Sequence, residues 1–217
     1  MGHKVGTPKT LILIGLMLVI GLPTLGAQEA NVRSNEEVAD AYIMFNPLGF
    51  LQFGPSVEAA FDVGNETYVG AQLRFAGLGL VYQALYGEIG GNDSVAVYSI
   101  GPAVTVVSLF PYSDSPNRFY GGGMLGMDFG WGSGAEFEGS EFEREWESRW
   151  GSIVFAGNFG HRWRYGSDFF VNAGIIAGLA TELWDNWNYV DTPGEVNSSD
   201  TDVTFFGMAE VSLGWEL

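Results

Sequence analysis

The stretch that most constrains this chain is its last fifteen residues, Val203 to Leu217, which alternate with a period of two. One face carries Phe205, Gly207, Ala209, Val211, Leu213, Trp215 and Leu217, and the other Thr204, Phe206, Met208, Glu210, Ser212, Gly214 and Glu216. A strand divided in this way needs an apolar surrounding on its first face and water or polar partners on its second. A bilayer outside and a polar lumen inside satisfy both demands. The alternative is a strand of a water-soluble β-protein whose first face covers a core.

The opposite end of the sequence bears on the choice. A basic start with Lys4 and Lys9, an apolar run from Leu11 to Leu22 and a small-residue close at Gly26-Ala27 form a secretory signal peptide over residues 1–27. The run is shorter than the ~20 residues a transmembrane helix requires. Residues 28–37 read as a polar leader, and residues 38–217 as one β-barrel domain. With no Cys in the sequence, neither a lipid anchor nor a disulfide is available.

Beyond residue 27 no Lys remains, and seven Arg face 26 acidic residues. That balance excludes nucleic acid as a partner, because phosphate binding needs a basic surface. Soluble domains keep Lys on their wet surface, whereas a wall facing lipid has no place for it. Abundant Gly, Trp, Tyr and Phe without a sustained helical period point to strands and turns.

Alternation and turn residues divide the chain into eight expected strands: 38–45, 51–63, 67–76 with an extension toward residue 86 past Gly77 and Gly79, 94–109, 118–131, 150–164, 168–184 and 203–217. Gly64-Asn65-Glu66, the segment 110–117 and Tyr165-Gly166-Ser167 are short turns at one end. Two long loops, 132–149 and 185–202, lie at the other. Gly-Pro pairs at Gly54-Pro55 and Gly101-Pro102 are either an echo of repeated hairpins or a coincidence.

A soluble, lipocalin-like barrel also alternates, so the second face has to discriminate. Here it is mainly Gly, Ala, Ser, Asn and Gln with isolated charges, which suits the inside of a narrow cylinder. Phe61, Tyr68, Phe110, Phe119, Trp131, Trp150, Trp163, Phe169, Trp184 and Trp215 stand near strand ends on the apolar face, as interfacial girdles do. On these residues the sequence resembles the small, eight-stranded OmpA/OmpX-like superfamily of bacterial outer-membrane β-barrels. The run Ala60 to Ala71 looks like their first periplasmic hairpin. The closing strand resembles their C-terminal assembly signal, with Leu217 in place of the usual Phe and Ser212 in place of a frequent Gly. The resemblance implies an all-β, transmembrane, antiparallel up-and-down barrel in the cell outer membrane. Its implied partners are outer-membrane lipid and the barrel-assembly machinery during biogenesis.

Glu58, Arg74, Glu210, Glu216 and Arg162 are expected to point inward, either as a plug in which Glu58 and Glu210 share Arg74 or as separate hydrated side chains. Glu58 and Glu210 have no nucleophile beside them. His161, the sole His after residue 27, sits by parity with the lipid-facing residues and has no Ser next to it. No catalytic, cofactor-binding or metal-binding residue is therefore assigned, and no enzyme activity or cofactor is expected. The Glu-Phe-Glu alternation within 132–149 suggests a hairpin that extends the wall as a solvated acidic edge. Together with the aromatic loop 185–202, it is the candidate surface for an extracellular partner. The role expected is structural or surface-interacting around a closed lumen, and a small-solute pore is the alternative.

Overall fold

The computed structural model describes residues 39–81, 95–111, 115–136, 139, 141–190 and 203–217; the expected signal peptide, the leader and Val38 lie outside them. Eight antiparallel strands follow one another around a closed barrel. They are β1 (Ala41–Asn46), β2 (Ser56–Asp62), β3 (Thr67–Phe75), β4 (Val95–Pro111), β5 (Arg118–Glu136), β6 (Arg144–Tyr165), β7 (Phe169–Tyr189) and β8 (Val203–Glu216). The ring closes where Tyr42 stands opposite Glu216 and Phe45 opposite Leu213. Every neighbouring pair is consecutive in sequence except this one, which defines the up-and-down order.

Two of the expected hairpins close as their residues dictate. At the first, Asp62 Oδ1 accepts from the Gly64 N–H at 3.0 Å, and Gly64, Asn65 and Glu66 all take positive φ. At the third, Gly166 does so with φ 74°. Arg118 Nε reaches Glu66 Oε2 at 3.1 Å, tying the first turn to the start of β5.

Several strand limits differ from expectation, and Pro and Gly account for the first two. The strand expected from Leu51 begins at Ser56. Asn46 Oδ1 instead accepts from the Gly49 N–H, Pro47 opens a 3-10 helix over Pro47–Leu51, and Gly54 has φ 99°. The alternation of Leu51, Phe53 and Pro55 was thus not a strand signal. β3 stops at Phe75, where a 3-10 turn over Ala76–Leu78 packs Gly77 under Tyr98; the rest of its expected extension, from residue 82, lies outside the described residues. β5 and β6 continue to Glu136 and from Arg144, so the expected loop 132–149 is mostly the hairpin that its Glu-Phe-Glu alternation suggested. β7 likewise runs to Tyr189, shortening the loop expected over 185–202, whose residues 191–202 lie outside the described set.

The wall is consequently uneven, low across β1–β3 and tall across β5–β7. In the tall part β7 carries a bulge opposite Gly151 and Ser152. The extra residue turns Leu183 and Trp184 both outward, so that Trp187 and Tyr189 fall on the inner face.

Candidate functional site

The outer surface is what a lipid-facing wall requires. Leu125 is 57% exposed and Phe155 58%, with Val104, Ile153, Phe159, Ile175 and Phe205 in the same condition. Among the described residues, the outward positions between the aromatic belts carry no Asp, Glu, Lys or Arg. Phe61, Phe110, Phe119, Trp163, Phe169 and Trp215 mark the belt near the short turns, and Tyr98, Trp131 and Trp184 the other. On β4 Tyr98 and Phe110 are twelve positions apart. At about 3.3 Å per residue and a tilt of ~40° this is about 30 Å, the thickness of a hydrocarbon layer.

Two residues expected in the belts face the other way. Tyr68 is buried inside the barrel, because in β3 it shares parity with Gly70, Gln72 and Arg74. Trp150 shares parity with Ser152 and Ala156, and its indole occupies the space over Gly130 on the inner face. His161 is outward as expected, its ring between Phe119 at 5.1 Å and Trp163 at 4.3 Å.

Inside, the end holding the short turns is filled by aromatic rings and one fully buried guanidinium. Tyr42, Tyr68, Tyr120 and Phe170 form a buried cluster with Met44, Ala60, Val107 and Leu109. Arg162 is 0% exposed. Its Cζ stands 3.8 Å from the ring centre of Phe170 and 4.8 Å from that of Tyr42. Nε donates to Asn172 Oδ1 at 2.9 Å, while Nη1 comes no nearer to Glu216 than 4.0 Å. The guanidinium is therefore held chiefly by π faces and by one hydrogen bond. Glu216 is engaged by Arg164, whose Nε donates at 2.9 Å and whose Nη2 donates to the second oxygen.

One level further in lie the two carboxylates that the sequence placed inside. Glu58, 2% exposed, accepts from the Tyr42 hydroxyl at 2.6 Å and from Gln72 Nε2 at 3.5 Å. Glu210, 3% exposed, accepts from the Tyr120 hydroxyl at 2.7 Å and from Ser212 Oγ at 3.0 Å. They do not share Arg74. In the β2–β3 register Glu58 stands opposite Gln72, and Arg74 lies one inward position nearer the tall end. There Gly101 of β4, opposite Arg74, leaves room for its guanidinium to reach Asp128 across the strand. Asp128, Tyr42 and Tyr120 are interior residues that sequence reasoning missed. Asp128 did leave a signal, as the one charge in the inward series Gly122, Met124, Gly126, Asp128 and Gly130.

On the tall wall, the Arg144 guanidinium sits 3.4 Å from the ring centre of Tyr189, whose hydroxyl donates to Glu136 at 2.9 Å. Trp146 and Trp187 stack beside them at 6.4 Å.

A closed strand ring, apolar outside and polar within, satisfies every condition for crossing a bilayer without helices, and the chain is by these features a membrane β-barrel. No protein-family model matches the sequence, and no curated protein does. Among solved structures it is similar to the crystal structure of Neisserial surface protein A (NspA), with 14% identity, 82% of this chain and 98% of that chain covered, and a TM-score of 0.47.

Proposed function

We propose that the protein is an exported, non-catalytic barrel of the outer membrane, with a closed lumen and a structural or surface-interacting role. Residues 1–27 act as its cleavable signal peptide, and the assembly machinery inserts it among outer-membrane lipid. The observation that carries the closed lumen is the packing around Arg162, where Tyr42, Tyr68, Tyr120 and Phe170 are all buried at the end with the short turns. A water path would have to part that cluster and unstack a guanidinium from two rings.

Interaction falls to the opposite end, at the β5–β6 hairpin within 132–149 and the segment 185–202. Glu145, Glu147 and Arg149 face outward there, and Trp146, Trp187 and Tyr189 line the inner side. Such a mixed aromatic and charged surface suits contact with an extracellular partner. The acidic balance leaves nucleic acid out.

Planar-bilayer recording of the purified protein tests the lumen. The expected outcome is a silent membrane at protein densities where a general porin conducts. Steady single-channel steps would establish a small-solute pore instead. Cell fractionation with heat-modifiable gel mobility tests the location, and recovery of the folded protein in a detergent-free soluble fraction would overturn it.

A further inference from the structure

Around Glu58 and Glu210 the lumen holds one unit of negative charge more than its guanidiniums answer. Arg74 is joined to Asp128, and Arg164 holds both oxygens of Glu216. That leaves the single charge of Arg162 to face Glu58 and Glu210 together. The hydrogen bonds these carboxylates accept come from Tyr42, Gln72, Tyr120 and Ser212, all neutral donors that orient an oxygen without cancelling its charge. An uncompensated charge at this depth is costly.

Between the two carboxylates lies a small cavity, lined also by Gln72, Thr105 and Asn158. Thr105 is 4% exposed and its Oγ1 has no hydrogen-bond partner; Asn158 Oδ1 is buried and equally without one. Glu58, Thr105, Asn158 and Glu210 come from β2, β4, β6 and β8, so alternate strands deliver one oxygen-bearing side chain each to a common space.

We infer that this cavity binds one hard monovalent cation, Na+, through Glu58, Glu210, Thr105 Oγ1 and Asn158 Oδ1. Hard oxygen donors suit an alkali or alkaline-earth ion. One excess charge selects the monovalent one, since Ca2+ would reverse the local charge and takes roughly six to eight oxygens. A water molecule would serve Thr105 and Asn158 and leave the charge; a proton on one carboxylate would remove the charge and supply a single donor for the two neutral oxygens. The bound ion satisfies all four groups and pins alternate strands across the lumen. The inference rests on the lumen being closed at this level, and conductance is read separately, so a leaky barrel and an empty cavity give different results.

The test is thermal unfolding of the full chain in detergent micelles, followed by heat-modifiable mobility, at constant ionic strength with Na+ replaced by choline. The melting temperature is expected to rise saturably with Na+, by several degrees, and not with choline. Sodium-23 relaxation of the folded protein is expected to report a bound fraction. Glu210→Gln and Thr105→Val are expected to lose the Na+ response while remaining folded. Should either variant fail to fold, the wild-type titration and the relaxation measurement decide alone. Equal melting in Na+ and choline, a response to Ca2+ only, or a stability that follows pH but not Na+ would each overturn the site.

Discussion

Arg162 shows how a single residue organises the barrel interior. Its charge is buried without a close bidentate carboxylate, and what replaces one is a pair of π faces and Asn172. Truncating it removes packing from Phe170 and Tyr42 and leaves the Asn172 carbonyl unpaired. Arg162→Ala is therefore expected to cost about 3–5 kcal/mol, read as urea or heat unfolding in micelles. A loss below about 1 kcal/mol would mean the guanidinium is hydrated and the lumen open there. A double-mutant cycle on Arg74 and Asp128 should give a coupling of roughly 0.5–3 kcal/mol, with none between Arg74 and Glu210. Parity made Glu58, Arg74, Arg162 and Glu210 legible as inward, but not their pairing. Tyr42 and Glu58 are 16 positions apart, Arg74 and Asp128 54, Tyr120 and Glu210 90. Which side chain meets which across a cylinder depends on register and on gaps such as Gly101, and neither is written locally.

At the scale of elements, the strands were legible where alternation met an unambiguous turn and less so where it continued past one. Gly64 to Glu66 and Gly166 set two hairpins, because only residues tolerating positive φ fit there. At the tall side the strands expected to end at residue 131 and to begin at residue 150 continue to Glu136 and from Arg144, through the hairpin that the Glu-Phe-Glu alternation suggested. Trp150 was expected outward as a strand-end girdle aromatic, and its parity with Ser152 decides otherwise. β8 has the largest task, since it pairs with β7 along Val203 to Trp215 and with β1 from Leu213 to Glu216. Deleting residues 211–217 removes every one of the β1 pairings and leaves two open edges in lipid, which a bilayer does not tolerate. The truncated chain should give no heat-modifiable folded band and should not reach the outer membrane. A folded, inserted truncation would show that another strand can close the ring.

For the whole molecule, the decisive property is which medium the outer surface meets, and strand order cannot settle it, since a barrel in water closes the same way. The faces can. A soluble barrel puts its apolar side chains inward around a ligand, whereas here Leu125 and Phe155 point out and Glu58, Glu210 and Arg162 point in. The consequence is measurable as a depth profile. Leu125 lies midway on β5 between Phe119 and Trp131, so Leu125→Arg places a guanidinium at the centre of the apolar band. Folding into lipid vesicles should lose about 2–4 kcal/mol. Glu147→Arg, outward at the same parity class on β6 but beyond Trp131 and Trp184, should change stability by less than about 0.5 kcal/mol. Were the exterior wetted, the two substitutions would be alike, because an arginine on a watered surface costs little at either height. A penalty at Leu125 that vanishes at Glu147 measures the band directly, and equal small effects at both positions would remove the membrane from the account of this fold.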